Sequence, residues 1–155
     1  VEEVGVELES KGIELNYTNL VDSQTRIIAD PEQLKRVINN IISNSVKYLD
    51  KEKEKSIIDI RILDEADAIK VEIEDNGRGI AAKDLPNIFD RFYRSDSSRN
   101  SSKGGSGIGL SIVKKIVEDH GGYIYATSKE GEGTCMHFII RKYEEIKDDE
   151  QNIDN

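Results

Sequence analysis

The sequence predicts an α/β domain in which a mixed sheet of four or five strands carries about three helices on one face. Three observations point there. Residues 13–17 and 69–75 alternate apolar and polar side chains, the period of half-buried strands, and residues 56–63, 123–127 and 134–141 read as further strands. Residues 34–42 and 108–117 repeat apolar residues at helical spacing. The order of these segments is irregular. That disfavours a doubly wound sheet of the dinucleotide-binding type, which needs regular βαβ alternation.

Each element has a local reason. Residues 1–11 set Val4 and Leu8 among acidic residues and read as the end of a helix stopped by Gly12. Ile13, Leu15 and Tyr17 begin the first strand, and residues 26–29 are expected as a second short one. Asp30-Pro31-Glu32-Gln33 is a helix start: Asp30 as N-cap, Pro31 at the first helical position, Gln33 at capping-box spacing. Leu34, Val37, Ile38, Ile41 and Ile42 continue this helix to about Leu49. Residues 51–55 are a charged, solvated turn. Residues 56–63 and 68–75 form a hairpin across the acidic turn 64–67. Residues 83–94 are expected to make a short helix or turn with exposed aromatics. Residues 95–106 hold six serines and almost nothing apolar. A structureless stretch of about 12 residues inside a compact domain is usually functional, and a lid fits better than a linker because no independent domain follows. Ile108, Ile112, Val113, Ile116 and Val117 make the next helix, closed by His120-Gly121-Gly122. The last two strands join across the glycine-rich turn 130–133, and the chain ends in an acidic, polar tail.

Composition bounds the function. At 155 residues the chain is long enough for one domain with a real core. A net charge of −9 disfavours nucleic acid and anionic membrane surfaces as partners. Any phosphate site must therefore draw on backbone N–H groups, a few basic side chains and a metal ion. The single cysteine, Cys135, excludes an internal disulfide and points to a reducing compartment; it reads as a small strand residue. No apolar run approaches the roughly 18 residues that span a bilayer, and no signal peptide is visible. The chain opens on Val1 without a Met, which is expected of a fragment of something longer.

Several groups have a chemical use beside an ordinary one. Asp75 continues the parity of Ile69, Val71 and Ile73, so its carboxylate points at a core face, which is costly unless something hydrogen-bonds to it. Gly77 and Gly79 follow, where a backbone bends or lets a ligand come close. Either a small molecule donates to Asp75 and lies over the glycines, or Asp75 caps its own tight turn. Asn40, Asn44 and Lys47 fall within roughly 60° of helical arc, with Tyr48 beside them. Two amide oxygens one turn apart, next to a lysine, suit Mg²⁺ and phosphate oxygens; a solvated pair of asparagines is the alternative. Gly105, Gly107 and Gly109 lead into a helix whose free N–H groups attract anions. No Gly-Lys-Ser/Thr follows and no strand precedes, so this is neither a Walker loop nor a Rossmann fingerprint. Arg91 and Arg94 precede the serine-rich stretch, placed to neutralise a transferring phosphoryl group or to pair with Asp90 or Asp96.

The joint pattern decides between these readings. Asn40/Asn44/Lys47/Tyr48, then Asp75-x-Gly77-x-Gly79, then Phe89-Asp90-Arg91-Phe92, then Gly105-x-Gly107-x-Gly109, in that order, resembles the catalytic ATP-binding domain of sensor histidine kinases. The four segments look like that family's N, G1, F and G2 boxes, and the likeness runs from about Ile13 to Ile140. The His120-Gly121-Gly122 turn and the strand opening Gly131-x-Gly133-Thr134 are similar to it as well.

The resemblance implies a two-layer Bergerat sandwich, ATP and Mg²⁺ as cofactors, and a role for each matching residue. Asp75 would accept from the adenine amino group. Gly77 and Gly79 would line the adenine pocket, with Ile80 and Tyr48 as walls and Thr134 at its border. Asn44, helped by Asn40, would coordinate Mg²⁺, and Lys47 would contact phosphate. Gly105, Gly107, Ile108, Gly109 and Leu110 would form the lid hinge and phosphate-facing turn. Arg94, with Arg91 as second candidate, would approach the γ-phosphate. The catalytic domain would be residues 1–143 and the acidic tail 144–155, in the cytoplasm, with a membrane-anchored parent protein. The family's phosphoacceptor histidine lies on a separate dimerisation domain. His120 ends a helix and His137 sits in a strand, so neither has that setting. The acceptor domain is expected elsewhere, a response regulator receiver domain is the downstream partner, and this fragment is expected to be monomeric. Two related readings are an ATP-hydrolysing clamp and a serine kinase of the anti-sigma type. The clamps carry a glutamate four residues before the metal-binding asparagine, where this chain has Asn40. The anti-sigma kinases are usually stand-alone chains, and residues 89–94 favour the histidine kinase.

Overall fold

The structure is a computed structural model that describes residue 8, residues 11–90 and residues 109–143. Five strands form one sheet in the order β1-β2-β3-β5-β4. They are β1 (Ile13–Asn19), β2 (Ser56–Glu65), β3 (Ala68–Asp75), β4 (Tyr123–Lys129) and β5 (Gly133–Arg141). β1 runs parallel to β2, and the other neighbours are antiparallel, so the sheet is mixed as expected. A parallel pair needs a crossover, and α1 (Pro31–Lys47) supplies it between β1 and β2. The second helix, α2 (Gly109–Asp119), precedes β4.

Alternation along the strands builds the core. Ile58 and Ile60, Val71 and Ile73, and Met136, Phe138 and Ile140 all turn to one face and are buried there. Val37, Ile41 and Ile42 of α1 and Val113, Ile116 and Val117 of α2 cover them. Each such side chain contributes about 1.5–3 kcal/mol when fully buried. The two helices pack on each other and on β3, β4 and β5, which gives the two layers.

The described residues hold two α-helices instead of about three. Of the expected N-terminal helix only Leu8 is described; it is helical and packs into the core. The short helix or turn expected within 83–94 is, in its described part, a single 3₁₀ turn, Leu85–Asn87; its described aromatic, expected to be exposed, is not, since Phe89 packs against the core beside buried Ile88. Residues 26–29 make no strand. Ile27 forms one isolated bridge to Lys142, where Tyr143 N–H donates to Arg26 O, and its side chain packs against the core. The β2–β3 hairpin is tighter than expected. Its strands pair through Glu65 and Ala68, leaving a two-residue turn with Ala66 at φ 57°.

The start of α1 is capped as expected, with one exchange of partners. Asp30 Oδ1 accepts from Glu32 N–H at 3.0 Å, and Pro31 takes the first helical position. In a capping box Gln33 would take the Asp30 N–H. Here that N–H donates to His120 Nε2 at 3.1 Å, while His120 Nδ1 lies 2.8 Å from Ile116 O. A carbonyl only accepts, so the imidazole is neutral with its proton on Nδ1. His120 thus ties the end of α2 to the start of α1.

Candidate functional site

Asp75 ends β3 on the buried side of the sheet, as its parity requires, and is 8% exposed. Burial pushes its carboxyl above the ordinary carboxylate range. The Gly77 N–H, the Ser45 hydroxyl and the Thr134 main chain hydrogen-bond to it and pull the other way. Gly77 N–H donates to Asp75 Oδ1 at 2.9 Å, so the tight turn is real. That turn draws on Oδ1 alone.

The segment after Asp75 is locked onto the end of α1. The last carbonyls of a helix lack intrahelical partners. Tyr48 O accepts from Arg78 N–H at 3.0 Å, and Lys47 O accepts from Arg78 Nη2 at 3.3 Å. The Arg78 guanidinium lies over the Tyr48 ring at 5.3 Å, and Lys47 Nζ lies 5.9 Å from the same ring. A Cβ at Gly77 would stand 2.5 Å from Tyr48 O, so only glycine lets the chain pass this close.

The other wall is the β4–β5 turn. Gly131 N–H donates to Arg78 O at 2.7 Å. Gly79 has φ +74°, and a Cβ there would stand 2.3 Å from Lys129 O. Ser128 Oγ accepts from Ile80 N–H at 2.8 Å and donates to Gly133 O at 2.8 Å. Its one proton is then used, so the Thr134 hydroxyl, 2.9 Å away, is the donor in that pair and keeps its own lone pairs free. Ile80 is half-buried against the core, and Thr134 is buried.

Asn40, Asn44 and Lys47 lie on one side of α1, bordering the stripe of Val37, Ile41 and Ser45. Neither asparagine amide makes a hydrogen bond to another described residue. Two hard oxygen donors a turn apart fit Mg²⁺, which needs only one or two protein groups beside phosphate. Gly109 opens α2, exposed, and Leu110 packs against the core. Arg91, Arg94, Gly105, Gly107, Ile108 and the expected lid at 95–106 lie outside the described residues.

Several contributors escape sequence reasoning. Ser45 had a signal: it continues the buried positions Ile41 and Ile42 at helical period, and a serine there requires a polar partner. Asn76 gave none. Its Oδ1 accepts from Ile57 N–H at 2.9 Å and its Nδ2 donates to Lys55 O at 2.7 Å, fixing the turn to β2. Lys53 was expected to be solvated. Its Nζ instead donates to Asn76 O at 2.6 Å, Gly77 O at 3.1 Å and Glu132 O at 3.2 Å, joining both walls.

The profile of the family described as "Histidine kinase-, DNA gyrase B-, and HSP90-like ATPase" matches residues 29–144. The chain is 40% identical over 131 residues to the sensor histidine kinase WalK of Bacillus subtilis (strain 168), covering 84% of this chain and 21% of that one. It is 41% identical over 121 residues to the sensor protein kinase WalK of Staphylococcus epidermidis, covering 77% of this chain and 19% of that one. It spans about a fifth of the length of these curated relatives. Among solved structures it is similar to a mycobacterial sensor histidine kinase, MprB, with TM-score 0.75, 27% identity and coverage of 93% of this chain and 91% of that one. A nucleotide-free catalytic domain of the histidine kinase ThkA has TM-score 0.72 and 28% identity, covering 90% of each chain.

Proposed function

The chain belongs to the histidine kinase-, DNA gyrase B- and HSP90-like ATPase family, as an ATP-binding domain of the sensor histidine kinase kind. We propose that it binds Mg·ATP and passes the γ-phosphate to a histidine on a separate dimerisation and phosphoacceptor domain. The observation that carries this reading is the buried carboxylate of Asp75, which lies between a glycine segment and the helix that bears a pair of asparagine amides.

In this reading Asp75 accepts a hydrogen bond from the adenine amino group, and the Thr134 hydroxyl borders the same ring with free lone pairs. Gly77 and Gly79 keep the floor flat, and Tyr48 and Ile80 wall it. Asn44 and Asn40 supply amide oxygens for Mg²⁺, and Lys47 meets phosphate. When bound, the ion would orient and neutralise the phosphate oxygens. Gly105, Gly107, Ile108, Gly109 and Leu110 form the hinge and phosphate-facing turn. Arg94 or Arg91 approaches the γ-phosphate, where developing charge is largest. No general base is required, because neutral imidazole is already nucleophilic near pH 7. Asn40 offers no carboxylate to activate water, which disfavours the hydrolysing clamp.

Residues 1–143 form the catalytic domain and 144–155 an acidic tail. The domain works as a cytoplasmic monomeric unit of a membrane-anchored parent, upstream of a response regulator receiver domain. Among the described residues no helix is long and apolar enough to cross a membrane. The test uses ATP labelled at the γ-phosphate, with the parent's histidine-bearing domain added in trans. The expected result is acid-labile, base-stable label on that domain. Release of the label as inorganic phosphate at the same rate with or without the acceptor would favour the clamp instead.

A further inference from the structure

Lys53 stands in the loop between α1 and β2, and that loop is fixed at both ends. Asp50 Oδ1 accepts from Glu52 N–H at 3.0 Å, and Asp50 O accepts from Lys53 N–H at 3.2 Å, which closes a turn. Lys55 O accepts from Asn76 Nδ2 at 2.7 Å. Beside Asp50, Glu52 and Glu54, a loop lysine ordinarily keeps its head in water or against a carboxylate. Lys53 is instead half-buried, and its Nζ donates to Asn76 O, Gly77 O and Glu132 O at 2.6, 3.1 and 3.2 Å. An ammonium has three N–H donors and no acceptor, so these carbonyls use all of them. Among the described residues no carboxylate forms an ion pair with it, and the Glu132 side chain faces Lys129. Three carbonyl oxygens converging on one point repel one another unless a cation stands between them.

The peptide units that Lys53 holds are the ones that set Asp75. A peptide unit is planar, so fixing its carbonyl fixes the direction of its N–H. In the 76–77 unit, Asn76 O meets Lys53 and Gly77 N–H donates to Asp75 Oδ1 at 2.9 Å. In the 77–78 unit, Gly77 O meets Lys53 and Arg78 N–H donates to Tyr48 O at 3.0 Å. Each unit is therefore held at both ends. The cation also polarises the 76–77 unit, which makes Gly77 N–H a stronger donor to the carboxylate. Gly77 has no side chain to restrict it, so without the ammonium this segment regains the freedom of a glycine turn. The Glu132 contact ties the same segment to the β4–β5 turn, two residues before Thr134, whose main chain also bonds to Asp75.

We propose that Lys53 is a positioning residue for the purine: its ammonium aims the Gly77 N–H at Asp75 Oδ1 and so holds the carboxylate where the adenine amino group meets it. This role rests on the nucleotide reading of the site. Lys53 does not touch the nucleotide; it acts through the two peptide units and Asp75.

The test compares the wild-type 155-residue chain with Lys53→Met, which keeps a long apolar stem and removes the ammonium. Both are titrated with ATP and with ITP, the purine nucleotide that carries an oxygen in place of the amino group. Loss of the charged donor is expected to lower ATP affinity roughly tenfold and ITP affinity far less, so the ATP-to-ITP ratio falls. Amide hydrogen exchange at Gly77 in the nucleotide-free variant is expected to be faster than in wild type. In a second variant, Lys53→Ala, added propylammonium replaces the missing part of the side chain. It is expected to restore both Gly77 protection and ATP affinity, whereas tetramethylammonium, a cation without N–H, restores neither. Lys53 lies outside the core cluster, and circular dichroism checks that both variants are folded. Equal losses for ATP and ITP overturn the role by making Lys53 a general support of the fold. Unchanged Gly77 exchange in the variants overturns it as well. A wild-type chain that binds no ATP overturns the nucleotide reading and this role together; a wild-type chain that binds ATP no better than the variants overturns the role alone.

Discussion

Asp75→Asn is expected to lower ATP affinity by roughly 10- to 150-fold and to leave the ligand-free protein at least as stable as wild type. A hydrogen bond to a charged group is worth about 1.5–3 kcal/mol, which sets that range. An asparagine in this position keeps one acceptor oxygen, and Gly77 N–H at 2.9 Å claims it. The amide NH₂ then meets the adenine amino group donor to donor. Stability moves the other way because the Asp75 carboxyl is raised, with burial as its largest cause. Below its unfolded-state pKa the group is protonated in both states and costs nothing. As pH rises through the higher folded-state value, ionisation in the buried site costs stability. The introduced amide does not titrate. In thermal melts the variant should therefore match or exceed wild type at neutral pH, and the gap should narrow as pH falls through the carboxylate range. Calorimetry showing unchanged ATP affinity would remove the adenine role from Asp75. A large loss of melting temperature would assign the carboxylate to the fold instead.

Asn44→Ala is expected to abolish the Mg²⁺ dependence of ATP binding. Asn44 and Asn40 present amide oxygens a turn apart on α1, and neither makes a hydrogen bond to another described residue. Removing an outer-shell support of a metal site typically costs about 10- to 100-fold in metal affinity, and a direct ligand should cost no less. The fold should persist, because Asn44 borders the buried stripe and stands outside it. Titrations with Mg²⁺ and with chelator should give one affinity in the variant and two in wild type. A Mg²⁺ enhancement equal to that of wild type would place the metal elsewhere.

What was legible in the sequence followed periodicity and local chemistry. The parity of Ile69, Val71, Ile73 and Asp75 put the acid on the buried face, where it lies. Asp30 and Pro31 started α1 as expected. Contacts between distant segments were not legible. The Asp30 N–H finds His120, 90 residues away, and no local rule points there. Lys53 looked like any lysine in a charged turn, yet it bridges carbonyls of both walls of the site. Residues 26–29 had strand character but pair through a single bridge, with Ile27 packed on the core.

In the proposed reading a buried carboxylate selects the purine by its amino group, and comparing ATP with ITP isolates that contact. ITP keeps the ribose and triphosphate and replaces that amino group with an oxygen. With the wild-type chain and Mg²⁺, calorimetry should give an affinity for ITP at least about 100-fold weaker than for ATP, since Asp75 would then face an acceptor. Equal affinities for the two nucleotides would show that Asp75 makes no hydrogen bond to the amino group.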